Sequence, residues 1–336
     1  MRLHFLVFAL GSNATDLLLA TLLPNQITAG NLGAFRNARD CRYRIYCSER
    51  DAPRIAAAPV TAKLRDLIAT DIVAMPDIGA GTGRAAAEAD LVRCHQEAVA
   101  TAEDANAGII FLPGNAVWSE GAFRRATDLY DSGAAAVLVL GLAVVRETFQ
   151  PAFNERFLEP AAPAATGARD LLRLALGHLH PMTKALFSDA PQAPKHPSHV
   201  IWRAGDQGMA VKAFRLRPLL IVPKFPGSLV REPLDQDYWR KACPDPTRIH
   251  VVKDSDEICK VVLEPESAGC GMLMPHGLNL TYMTGFARNQ YHDDFERQLF
   301  LEQTLRLHVG DDGAALQNAE RQAGAFADRL RFAMSA

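Results

Sequence analysis

The chain has 336 residues, with 36 Lys and Arg against 38 Asp and Glu, a formal balance of −2 with the histidines neutral. That balance excludes recognition of nucleic acid through a broad basic surface, and 49% hydrophobic with 22% charged residues excludes wholesale disorder. No apolar run reaches the roughly 20 residues of a membrane-spanning helix, and Cys41, Cys47, Cys94, Cys243, Cys259 and Cys270 show neither a CxxC nor a zinc-type spacing, which reads as reduced, buried thiols in a cytoplasmic protein.

Met1-Arg2 followed by the apolar stretch Leu3 to Leu10 imitates a short signal peptide, yet it leads straight into an amphipathic segment and suits a buried first strand better. After the turn Gly11-Ser12-Asn13, the spacing predicts a helix over 15–23, stopped by Pro24. A strand is expected over 41–47, a helix over 62–68 and a strand over 71–75, the last ending in a Pro/Gly-rich loop. Residues 85–106 are rich in helix formers, and 108–112 (GIIFL) form a strand with nothing polar in it. A helix over 121–131, a strand over 135–140 and a loop over 141–145 follow. Alternating helices with buried, non-alternating strands predict a mostly parallel central sheet of an α/β fold with helices on both faces. Ligands of such sheets lie beyond the carboxyl ends of the strands.

Residues 150–198 are rich in Pro and Ala, with one helical stretch at 168–176, and read as an insertion or lid. Strands are expected at 200–202, 210–214, 219–222 and 249–252, the first two joined by a hairpin turn at Gly205 to Gly208. In the final helix, 318–334, Ala319, Ala323, Phe326, Ala327, Leu330 and Ala333 fall on one stripe. The expected organisation is a nucleotide-binding α/β half (1–149), the insertion (150–198), a mixed or antiparallel acceptor-side half (199–290) and C-terminal helices (291–336).

The segment from Gly108 to Gly121 places polar atoms directly after a buried strand and before a helix. Its loop, Asn115 to Gly121 (NAVWSEG), together with the order of elements around it, resembles the nucleotide-diphospho-sugar transferases, the GT-A-like glycosyltransferases, over about residues 1–290. The resemblance implies a Rossmann-related fold and transfer of a hexosyl or related group from a nucleoside-diphosphate sugar to an acceptor. It also implies an Asp-x-Asp in this loop holding Mn²⁺ or Mg²⁺ against the diphosphate. Here Asn115 replaces the expected acid, and a neutral amide lacks the charge that a hard cation favours. Metal-free binding, metal held elsewhere and absence of transfer all stay open.

Ser12, Asn13, Asn115 and Ser119 are the polar donor-binding candidates at these strand ends. Arg215 and Arg217 alternate in sequence, which would put both guanidiniums on one strand face, suited to a diphosphate. Asp254 and Asp256 are paired carboxylates after the strand at 249–252, suited to a cation or to a base toward an acceptor hydroxyl. Asp237 and Glu147 are the other candidate bases, and Asp235 repeats the spacing with Asp237. The resemblance extends a late metal-completing histidine to His276. Gly79 to Gly83 has the composition of a phosphate loop without its Lys-Ser/Thr. His178, His180, His196, His199, His292 and His308 complete a loose cluster of histidines. The expected partners are a nucleoside-diphosphate sugar and an unknown acceptor, with no nucleic acid and no membrane span. A non-catalytic binding or scaffold protein of the same fold, and a nucleotidyltransferase, are the alternatives.

Overall fold

The computed structural model describes residues 2–35, 40–76, 78, 83–159, 165–224, 226–232, 236–269, 271–275, 277–290, 294–311 and 313–335. Its strands in chain order are β1 (Leu3–Ala9), β2 (Cys41–Ser48), β3 (Ala69–Met75), β4 (Gly108–Leu112), β5 (Ala116–Trp118), β6 (Ala136–Val139), β7 (Gly141–Val145) and β8 (Ala193–Pro194). They continue with β9 (His199–Arg203), β10 (Gly208–Ala213), β11 (Arg217–Ile221), β12 (Ile249–Val251), β13 (Lys260–Glu264), β14 (Leu273–Met274) and β15 (Leu305–His308). Contacts divide the chain into two units. The first holds Met1–Val139, Leu158–Ala165 and Arg217–Val251; the second holds Leu140–Phe157, Thr166–Leu216 and Val252–Ala336.

The first unit is built on a seven-stranded sheet of order β12-β6-β11-β4-β1-β2-β3. Every neighbouring pair is parallel except those made by β11, which runs antiparallel to both β4 and β6. All residues of β1 and β4 are buried, so both faces of the central strands are covered, whereas the edge strands β3 and β12 contain no fully buried residue. The covering elements are helical. Phe8 of β1 meets His95 of the helix Arg84–Asp104, while Phe5 meets Phe123 of the helix Ala122–Asp131. Positions five and eight lie an odd number of residues apart and point to opposite faces, so the two helices cover opposite sides. The expected α/β class, a mostly parallel sheet with helices on both faces, is the one observed.

Pro24 does not end the first helix. The run continues from Ser12 to Gln26 because Leu18–Leu22 widens into a π-helical turn, after which Pro24 sits in the opening turn of a fresh α segment, where its missing N–H costs least.

In the second unit β9, β10 and β15 form an antiparallel sheet of order β15-β10-β9. The hairpin between β9 and β10 turns at Gly205–Gln207 as expected, and Gly208, with φ of 135°, leaves no room for a side chain: a Cβ there would stand 2.0 Å from the Leu307 carbonyl oxygen. The final helix, Ala314–Ser335, buries Ala319, Ala323, Phe326, Ala327 and Leu330 as the stripe predicts. It packs in one core with Trp202, Ala210, Met283 and Phe300, where Phe214 and Phe300 stack at 4.0 Å between ring centroids. Residues 141–145, expected as a loop, are instead β7, paired in parallel with β13. Leu142 and Val144 are buried while Gly141 and Ala143 are half-buried, the alternation of a strand, and the absence of a side chain at Gly141 admits Val262, whose Cγ2 would lie 2.6 Å from a Cβ. Among the described residues no helix is long and apolar enough to cross a membrane. Cys41, Cys47, Cys94, Cys243 and Cys259 are buried free thiols, and Cys270 lies outside the described residues.

Candidate functional site

In the first unit the chain leaves β1 toward β2 and β3 on one side and returns to β4 on the other, so the strand order reverses between β1 and β4. In an α/β sheet the carboxyl ends of two such strands are the place at which a ligand is expected. The register Val7 to Leu112 brings those ends level. Gly11, with φ of 97°, turns the chain out of β1 and its carbonyl accepts the Thr15 N–H, leaving Ser12 and Asn13 exposed at the start of the helix. After β4, Gly114 runs so close to β1 that a Cβ would stand 2.1 Å from the Phe8 carbonyl oxygen, and Asn115 follows half-buried.

The antiparallel direction of β11 adds a cation to this edge. Leu220 pairs with Ile110, and Arg217 pairs with Val139 at the carboxyl end of β6, so Arg217 opens β11 at the edge where β4 and β6 end. Its side chain is exposed. Behind it His95 packs edge-on against Phe8 and Phe111, and burial reinforced by the Arg217 charge pushes its pKa down to about 3. This imidazole is a neutral core group.

The segment after β4 is pinned by buried amides. Asn25 donates to the Trp118 carbonyl at 3.0 Å and accepts the Trp118 N–H at 2.9 Å, and Asn31 donates to the Ser119 carbonyl at 3.2 Å. Ser119 is 2% exposed. Ser12, Asn13, Asn115, Ser119 and Arg217 therefore all belong to the first unit.

Arg215 does not share a strand face with Arg217. It lies in the link before β11, within the second unit, where its Nε contacts Glu296 Oε1 at 3.1 Å. Sequence alternation had no strand to act on there, because β10 ends at Ala213 and β11 begins at Arg217. Glu147, also in the second unit, is exposed in the first turn of the helix Arg146–Phe153, accepts the Glu266 N–H at 2.9 Å and pairs with Arg146 at 3.3 Å. The Glu266 N–H, foremost, holds its carboxyl below the usual range.

Asp254 and Asp256 lie on the turn that follows Lys253 in the second unit, and the histidine that joins them is His308, at the end of β15. His308 Nε2 stands 2.9 Å from Asp254 Oδ1 and 3.9 Å from Asp256 Oδ2. One ligand atom from each of the three lies within 4.8 Å of the others. The ring is 4% exposed, and its Nδ1 donates to the Gly310 carbonyl, which turns Nε2 toward the carboxylates. The Ser255 N–H reaches the Arg306 carbonyl at 2.9 Å, and the His308 N–H reaches Ser255 Oγ at 3.1 Å, so two segments of backbone joined by a parallel bridge at Asp254 and Arg306 hold the group together. Arg169 contacts both oxygens of Asp256, at 3.1 and 2.8 Å, and extends to Asp311 at 2.9 Å. Its guanidinium holds the Asp256 carboxyl below the usual carboxylate range.

His308 carried no sequence signal beyond its place among the histidines: 54 residues separate it from Asp254. His276, Asp235 and Gly79 to Thr82 lie outside the described residues, as does the side chain of Asp237, whose backbone belongs to the helix Gln236–Ala242.

No protein-family model matches the chain, and no curated protein matches it. Among solved structures, one described as a glucose-1-phosphate thymidylyltransferase from Bacillus anthracis, in complex with sucrose, is similar at 13% identity with a TM-score of 0.26. That alignment covers 49% of this chain and 68% of that one. A likeness of this size carries no argument about fold, substrate or activity.

Proposed function

We propose that the chain binds a nucleoside-diphosphate sugar at the carboxyl edge of the first unit and transfers the sugar to an acceptor. The observation that carries this reading is the reversal of strand order between β1 and β4 with Arg217 delivered to the same carboxyl edge by the antiparallel β11. A guanidinium suits a diphosphate because its planar donors match phosphate oxygens and its charge offsets theirs. Ser12, Asn13 and Asn115 offer hydrogen bonds to the same ligand, and the close approach at Gly114 keeps the two loops together. Transfer from such a donor needs the reactants held in register and the departing diphosphate stabilised. Arg217 serves the second need, and Asp237, whose helix Gln236–Ala242 belongs to the same unit, would deprotonate the acceptor.

A cation at Asn115 is disfavoured by its neutral amide. The donor set of Asp254, Asp256 and His308 fits a divalent cation, with Asp254, Asp256 and the imidazole as its ligands, and a bound cation would supply charge stabilisation for an anion. Asn115 also favours a second reading, a chain that binds the donor without transferring from it.

Calorimetric titration with a panel of nucleoside-diphosphate sugars, with and without Mn²⁺, tests the proposal. Binding of at least one donor is expected, and binding of none overturns it. Donor turnover separates transfer from binding alone, and pyrophosphate release from a nucleoside triphosphate would move the assignment to nucleotidyl transfer.

A further inference from the structure

We infer that Asp254, Asp256 and His308 form a divalent transition-metal site in the second unit and that Arg169 is the resident cation which the metal displaces. The inference stands apart from donor binding, since every residue in it belongs to the second unit.

The first observation is the imidazole. A surface ion-pair network has no need of a histidine that is 4% exposed, with one ring nitrogen committed to a backbone carbonyl outside the carboxylate pair. With Nδ1–H given to the Gly310 carbonyl, Nε2 is the ring nitrogen that faces Asp254 and the one left to bind a metal. The 2.9 Å between Nε2 and Asp254 Oδ1 matches the edge of about 3.0 Å of an octahedral shell with bonds of about 2.1 Å, and Asp256 Oδ2, at 3.9 Å, closes to that edge by a movement of about 1 Å once Arg169 releases it.

The second observation is the cation already there. Arg169 spends Nε and a terminal nitrogen on Asp256 and reaches Asp311 with the other terminal nitrogen. It comes from the helix Ala168–Leu176, whereas the carboxylates and the histidine come from the turn at 254–256 and from β15. The carboxylates are balanced by Arg169 on a separate element and by Arg306 of β15, 3.9 Å from Asp254 Oδ2, and a metal ion with two positive charges would take over the share of Arg169. Arg169 retains Asp311 when it leaves Asp256.

The chemistry of the ligands selects the metal. Two carboxylates and one imidazole suit Mn²⁺, Fe²⁺, Co²⁺ or Zn²⁺ better than Ca²⁺ or Mg²⁺, which take oxygen ligands almost exclusively. Three protein ligands leave positions open for water or an anionic oxygen.

Mn²⁺ titration of the full chain followed by electron paramagnetic resonance tests the inference directly. One saturable Mn²⁺ per chain is expected, with a nitrogen coupling from the imidazole that Mg²⁺ displaces poorly. His308→Gln abolishes the coupling, and Asp256→Asn, at a more exposed position, weakens binding at least about tenfold while the coupling of any bound ion persists. Arg169→Gln tightens binding by about tenfold through removal of the competing charge. A purely structural network predicts the reverse pattern: no saturable ion in the parent chain or in Arg169→Gln. That result, or saturable binding without nitrogen coupling in the parent chain, overturns the site. Unchanged affinity in Arg169→Gln overturns the displacement. Because no donor is present in this titration, its outcome is independent of nucleotide binding.

Discussion

Arg217 and His95 occupy one edge of the first sheet and do different things there. Arg217 is exposed at the edge where β4 and β6 end, so, on the proposed function, Arg217→Ala should weaken binding of a nucleoside diphosphate by about tenfold, roughly 1.4 kcal/mol, with a far smaller effect on the melting temperature than Leu330→Ala. Calorimetry beside thermal unfolding checks both halves of that statement. His95 contributes to stability through its neutrality. Its folded pKa, about 3, lies below its ordinary 6.5, so between those values the unfolded chain holds a proton that the folded chain rejects. Stability is complete above pH ~6.5 and falls with pH toward about 3, at about 1.4 kcal/mol per pH unit for this one proton. His199, whose pKa desolvation pushes down to about 4, adds to the same slope. Urea titrations from pH 7 to pH 4 should show His95→Leu with a shallower dependence than the parent chain. An equal dependence would remove His95 from the account.

Elements carry the constraints that single residues cannot. The loop after β4 is held against β1 by the absence of a side chain at Gly114, and Gly114→Ala should force the two apart, at a cost of about 1–3 kcal/mol from overpacking. Donor affinity should fall with it, measurable in the same titrations, whereas a stability loss with affinity intact would detach the loop from the proposed donor site. In the second unit the stripe of the final helix was legible as a periodicity, because an amphipathic helix on an antiparallel sheet must repeat its apolar residues at about 3.6. Leu330→Ala in that stripe should cost about 2–5 kcal/mol by leaving a cavity in a fully buried position, read by chemical denaturation. Strands β1 and β4 were equally legible, as apolar runs too short for helices. β7 was not, since its five residues directly follow β6 and nothing in their order marks the break. The passage of the first helix through Pro24 was also hidden: a π-helical turn is a geometric accommodation with no composition of its own.

The binding sites proposed in the two units each draw on distant parts of the chain. Hydrogen exchange on the whole protein should therefore show separable footprints. A nucleoside diphosphate should protect amides of Ser12 to Ala14 and around Asn115, and Mn²⁺ should protect those of Ser255, Asp256 and Val309 to Asp311. Protection at the wrong cluster by either ligand would contradict the assignments. The membership of the units follows no contiguous division of the sequence: Arg217 to Val251 rejoins the sheet that begins at Leu3, and Leu216 marks the end of a segment belonging to the other core.

Read alone, the order of apolar runs and helix formers determined the α/β class, most strand and helix positions and the edge of the sheet at which to search, because burial on both faces and helical periodicity are local properties of the chain. The positions of Ser12 and Asn13 beyond β1, of Asn115 beyond β4 and of Asp254 beyond β12 were legible for the same reason. The direction of β11, which separates Arg217 from Arg215, and the meeting of His308 with Asp254 and Asp256 were decided by tertiary structure. Those relations depend on which strands pair and in which sense, and pairing is set by side-chain packing between segments far apart in sequence, which leaves no mark at any one position.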